Sequence, residues 1–311
     1  MTKMYPAWFV FFFTNMTGLT MIMSSSNWLA MWIGFELSLL GFLPMFIMNK
    51  SSIDSMVKYL LLQSGGSALM LTSMVINSLT QSKNMFLLSI LLKIGLFPFF
   101  QWVPTIMTTL TWFGCFMIAT IQKIGPVIIL MKSNNNSFML LLISSSLSVL
   151  FSGMLGLNQT NLRTLLGYSS VSHTAWMSAS LIHSSKLMTT YLIYYFLIST
   201  ILFFFLNKKN LNKINIYYSN NDPNMPKIIV MLVVLAGIPP FSMFFLKLMI
   251  LTKLSYYNFI ANTLILGTTL SSYYYLTFII TNLVKSNSNK NLLWQGMMML
   301  LILHSPLIMM L

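Results

Sequence analysis

Apolar runs of about twenty residues, separated by short polar connections, recur from one end of the chain to the other. The pattern predicts eleven membrane-crossing helices, over 4–23, 28–48, 56–78, 85–102, 106–131, 138–157, 162–182, 188–206, 228–251, 259–284 and 293–311. Only 207–227 is long enough to be a substantial loop, and its Lys, Asn and Asp content suits a solvated face. The reading is an all-α integral membrane protein, with 1–311 as one polytopic domain.

The pattern is interrupted most strongly at Leu91-Leu92-Lys93-Ile94-Gly95-Leu96-Phe97-Pro98-Phe99, where a lysine and a proline sit inside an apolar run. A lysine at mid-membrane depth costs roughly 2.5–3.5 kcal/mol on insertion scales, and Pro98 removes a helical donor where water cannot replace it. A protein-lined polar cavity with a partner charge would compensate for both. The motif Gly95-Leu96-Phe97-Pro98-Phe99 recurs as Gly237-Ile238-Pro239-Pro240-Phe241, and both runs contain a lysine. The two lie five spans apart, so they run in opposite directions, as in the inverted repeats of secondary transporters. This predicts one five-helix repeat over 1–132, a second over 138–284, and a C-terminal helix over 293–311, with the fourth and ninth helices discontinuous at Pro98, Pro239 and Pro240.

Composition removes several alternatives. Only 6% of residues are charged and 57% are hydrophobic, whereas soluble domains carry about 25% charged residues. The net charge of +14 does not form a basic face with interleaved aromatics, so nucleic acid is excluded as a partner. Most basic residues stand singly between apolar runs. Alternating the loops puts Lys3, Lys50, Lys58, Arg163, Lys208, Lys209, Lys213, Lys227, Lys285 and Lys290 on one side, against Lys83, Lys132, Lys186 and Lys253 on the other. That bias places the N-terminus on the cytoplasmic-equivalent side. Cys115 is the only cysteine and the three histidines are scattered, which excludes an internal disulfide and argues against a metal-ligand set. The first residues resemble neither a signal peptide nor an Arg-rich transit peptide. With Arg163 the only arginine, the composition suggests an organellar genome.

Glu36 is the only acidic residue deep inside a predicted span. It is either a neutral carboxyl satisfied by a backbone carbonyl or, as intramembrane ionisable groups usually are, functional. As the counter-charge of Lys93, at about 5 Å and an effective dielectric of about 20, it would contribute roughly 3 kcal/mol of attraction. Loosening such a pair would release a proton. Lys123, in Gln122-Lys123-Ile124-Gly125-Pro126, lies too far from either end of its span to reach water. Lys247 is either buried or, near the end of its span, snorkels. His173, surrounded by hydroxyls, is either a proton relay or a source of interhelical hydrogen bonds.

These residues carry a resemblance. The stretch Trp28-Leu29 through Gly34-Phe35-Glu36-Leu37, then Asp54 through Lys58-Tyr59-Leu60-Leu61-Leu62-Gln63, Lys93-Ile94-Gly95 with Pro98-Phe99 and Trp102-Val103-Pro104, Gln122-Lys123-Ile124-Gly125-Pro126, Tyr168 to His173, and Gly237-Ile238-Pro239-Pro240 with Lys247 resemble, in order, the mitochondrially encoded subunit 2 family of NADH–ubiquinone oxidoreductase, respiratory complex I. The resemblance implies an antiporter-like proton-translocating membrane-arm subunit of the mitochondrial inner membrane, N-terminus toward the matrix, in the shortened animal form. It implies that Glu36 and Lys93 form the ion pair, Lys123 is the connecting lysine and Lys247 the terminal one. It further implies no cofactor in this chain. NADH, FMN, iron–sulfur clusters and ubiquinone belong to partner subunits, and the partners are other membrane-arm subunits and lipids. Phe100, Thr105, Met243 and Leu246 depart from the family pattern and leave the charged core intact. Two rivals use the same residues: a stand-alone or multisubunit cation/proton antiporter, and a structural subunit whose buried charges only fix helix register.

Overall fold

Helices form because a backbone in hydrocarbon must satisfy its own donors and acceptors, and all regular elements among the described residues are helical. The computed structural model describes residues 7–47, 53–80, 83–133, 138–209, 225–239 and 241–285. The C-terminal helix predicted over 293–311, most of the 207–227 loop, and Pro240 lie outside them. Five helical stretches are each long and apolar enough to cross a membrane: Ile53–Ile76, Trp112–Lys132, Phe138–Leu157, Ser185–Lys208 and Asn258–Ile280. Large apolar side chains such as Phe9, Leu61, Val75 and Phe259 face outward, as lipid-facing positions require. The residues group into two compact units that divide between Ser144 and Ser145.

The first unit contains α1 (Ala7–Ser24), α2 (Trp28–Phe42), α3 (Pro44–Ile47), α4 (Ile53–Thr80), α5 (Lys83–Ile94), α6 (Trp102–Met107), α7 (Trp112–Ala119) and α8 (Ile121–Lys132), and the boundary falls within α9 (Phe138–Leu157). Small residues let α1 and α2 approach closely. A Cβ on Gly18 would lie 2.6 Å from the Gly34 carbonyl, and one on Gly41 would lie 2.5 Å from the Asn15 backbone nitrogen. The Asn15 side chain donates to the Ser38 carbonyl at 2.9 Å. This contact fixes α2, and with it Phe35 and Glu36. Lys132, expected as a loop charge, instead donates to the carbonyls of Ile22, Met23 and Ser25 at 2.7–3.0 Å. A cation at the C-terminal end of α1 satisfies orphan carbonyls and complements the helix dipole.

The second unit contains α10 (Leu162–Ser180), α11 (Ser185–Lys209), α12 (Met225–Ala236), α13 (Ser242–Lys253) and α14 (Asn258–Lys285). Helix α10 is rich in serine yet almost wholly buried. Its hydroxyls reconcile the two by donating to carbonyls three residues back, as Ser169, Ser170, Ser172 and Ser178 do.

Two differences from the sequence reading matter for function. The interruptions begin at glycines, not at the prolines: α5 ends before Gly95 and α12 before Gly237, whose φ values are +78° and +72°. Left-handed backbone just past a helix end favours glycine, and Pro98 and Pro239 follow within the irregular segments. The helix predicted over 106–131 is also divided. It is made of the end of α6, then α7 and α8, with Thr120 between the last two at φ −122° and ψ −73°.

Candidate functional site

Broken helices expose carbonyls, and in both units these ends organise the buried lysines. In the first unit Lys93 occupies the last turn of α5. The Trp102 indole donates to the Leu92 carbonyl at 3.1 Å, and Gln63 of α4 donates to the Lys93 carbonyl at 3.3 Å. The Gly95 and Leu96 amides both return to the Leu91 carbonyl. The end of α5 is therefore satisfied while the chain leaves the helix.

The Lys93 side chain turns inward. It is 5% exposed, and its stem runs along Gly66 of α4, where an added Cβ would lie 2.9 Å from Cγ. Its ammonium sits over the Phe35 ring at 3.8 Å from the centroid. Glu36, the next residue on α2, acts on that ammonium through its charge, and its carboxylate accepts a hydrogen bond from the Ser67 hydroxyl. The pair expected from sequence is thus brought into one site, with each member in contact with a different neighbour. Sequence reasoning missed Gly66, Ser67 and Phe35. The signal was the small run Ser64-Gly65-Gly66-Ser67 in an otherwise apolar helix, which marks where another element's side chain must pass.

That passage is testable. Gly66→Ala is expected to push the Lys93 stem aside, at a cost of about 1–3 kcal/mol, and to lower proton transfer. Gly65→Ala, with nothing within 4 Å of its Cβ position, is expected to leave it unchanged. Comparing proton yield per assembled complex in the two variants checks this.

Lys123 lies in the first turn of α8, 5% exposed, so it does not snorkel. Two residues on, Gly125 lets α8 close on Phe35, to whose Cε1 an added Cβ would lie 3.0 Å. Pro126 lies inside the same helix.

In the second unit Lys247 of α13 is 7% exposed, which decides against snorkelling. Its ammonium donates to the carbonyl of Ala236, the last residue of α12, at 3.4 Å. It lies beside Gly237, where a Cβ would come within 2.8 Å of Nζ, and 5.9 Å from the Trp176 ring. It lines a cavity of about 360 Å³ with Pro239, Thr268, Thr269 and Ser272. A cation at a helix C-terminus is electrostatically favoured, and the cavity gives the ammonium room to move. His173 is buried and shares a hydrogen bond between Nδ1 and the Tyr191 hydroxyl at 3.0 Å, with the Tyr195 ring 5.1 Å away. This ties α10 to α11, the interhelical role that sequence left open beside the relay.

Residues 25–272 match the family described as NADH:quinone oxidoreductase/Mrp antiporter, TM. The NADH-ubiquinone oxidoreductase chain 2 of Ailurus fulgens is 30% identical over 93% of this chain and 90% of its own length. A chain of the respiratory complex I from Thermus thermophilus shares the fold, with a TM-score of 0.79 at 19% identity over 88% of this chain and 70% of that chain. A chain of the Mrp complex from Dietzia sp. DQ12-45-1b has a TM-score of 0.75 at 12% identity over 92% of this chain and 59% of that chain.

Proposed function

Because the chain belongs to the NADH:quinone oxidoreductase/Mrp antiporter membrane family, we propose that it is a proton-translocating membrane-arm subunit of mitochondrial NADH:ubiquinone oxidoreductase. The observation that carries this reading is the Glu36–Lys93 site. A half-buried carboxylate and a buried ammonium lie within electrostatic reach of each other and are held by separate partners, Ser67 and Phe35. Bringing the two charges together favours the protonated lysine, and separating them favours proton release. Lys123 then accepts the proton and Lys247 passes it on, with His173 as a relay. Partner subunits hold NADH, FMN, the iron–sulfur clusters and ubiquinone, and their redox chemistry drives the change at Glu36 and Lys93. The chain crosses the inner membrane eleven times, as two inverted five-helix repeats and a final helix, with its N-terminus in the matrix.

Native electrophoresis of mildly solubilised source membranes, with an NADH-oxidation stain and mass spectrometry, tests this assignment. The chain is expected only in a large NADH-oxidising band. Its recovery in a small band without that activity, together with sodium-driven proton exchange by the isolated chain, would replace the assignment with the cation/proton antiporter reading.

A further inference from the structure

The Lys93 ammonium has two anchoring groups within reach, and they are consecutive residues of α2. One is the Glu36 carboxylate, whose charge acts on it. The other is the Phe35 ring, over whose face it sits at 3.8 Å. Meanwhile the carboxylate is occupied by the Ser67 hydroxyl. We propose that Phe35 is a positioning residue for proton transfer: its ring is the second seat of the Lys93 ammonium, the one occupied when the lysine is not paired with Glu36. This inference rests on the proton-translocation reading of the same site.

Three features make Phe35 a seat instead of filler. The ring is buried, 6% exposed, so the attraction between a cation and its face is not weakened by water. Its backbone is held close to α1, because Gly34 and Gly18 pack α2 against α1 with no space for a Cβ. Its edge also rests on α8 at Gly125, two residues from Lys123. The ring that carries the ammonium is thus also the group that contacts the α8 segment. The Ser67 hydroxyl does for Glu36 what the ring does for Lys93: it satisfies the carboxylate while the pair is apart. The titratable groups on the elements around the ring are Glu36 on α2, Asp54, Lys58 and Tyr59 on α4, Lys83 and Lys93 on α5, and Lys123 and Lys132 on α8.

Removing the ring face while keeping apolar bulk is expected to shift the ammonium between its two seats by about tenfold. The experiment uses the intact complex carrying Phe35→Leu, Phe35→Tyr or Lys93→Met, with protons translocated per electron normalised to assembled complex. Phe35→Leu is expected to lower the yield at least twofold, and Phe35→Tyr, which keeps the ring, to restore it. A packing role alone gives the opposite order, because leucine fits beside Gly125 more easily than a longer tyrosine. Phe35→Met replaces the leucine variant if the latter fails to assemble. Wild-type yield in the aliphatic variant, or an equal loss in Phe35→Tyr, overturns the proposal while leaving the proton-translocation reading intact. An unchanged yield in Lys93→Met would remove that reading itself.

Discussion

Lys93→Met is expected to leave the complex assembled and to lower the protons translocated per electron. Methionine has nearly the volume of the lysine stem and is unbranched, so it can follow the same course along Gly66 and rest on Phe35 without a new clash. It also removes a buried cation and its desolvation cost, and the half-buried Glu36 left behind keeps its hydrogen bond from Ser67, so assembly is expected to hold. What is lost is the ammonium proposed to carry a proton away from Glu36. Measuring proton yield and complex abundance in one preparation checks both halves. A structural role for the charge, in which it only fixes helix register, predicts the reverse: reduced abundance with an unchanged yield.

Gly95→Val is expected to do the opposite, and to reduce the assembled complex severely. Gly95 has φ +78°, a conformation that costs about 1–2 kcal/mol for an L-residue and more for a branched one. A Cβ there would also lie 2.6 Å from Val103 and 3.1 Å from the Trp102 indole nitrogen. Displacing that indole orphans the Leu92 carbonyl, a further cost of about 1–3 kcal/mol where no water can reach. Together these amount to a large share of the roughly 5–15 kcal/mol that stabilises a folded domain. Native-gel abundance of the variant should fall to a small fraction of wild type. Wild-type abundance would show that the end of α5 does not need the left-handed turn.

The ionisable residues were legible in the sequence because the membrane makes them costly. Lys93, Lys123, Lys247 and Glu36 stand out in apolar runs with no other way to be tolerated, and all three lysines are buried. Their supports were not legible. Gly66 and Ser67 look like ordinary residues in an apolar helix, and only the path of the Lys93 stem from α5 gives them meaning. Phe35 is one of 24 phenylalanines, and nothing in its local pattern distinguishes a ring under an ammonium from a ring in lipid. The helix interruptions were found in the right runs for an incomplete reason. Proline's missing donor pointed to Pro98 and Pro239, but a helix stops where its last carbonyls can be satisfied. That happens at Gly95 and Gly237, and the first of these stops depends on Trp102 and Gln63, both from other helices. Lys132 likewise looked like a loop charge until the end of α1 supplied its three carbonyls.

Lys93, Lys123 and Lys247 are proposed to act in series on one proton. The most direct measurement is the proton-to-electron ratio of the purified complex in sealed proteoliposomes, with each lysine replaced singly by methionine and then in pairs. A series predicts the same loss for every single variant and no further loss in any pair. Losses that add from one lysine to the next, or a pair with the wild-type ratio, would contradict it.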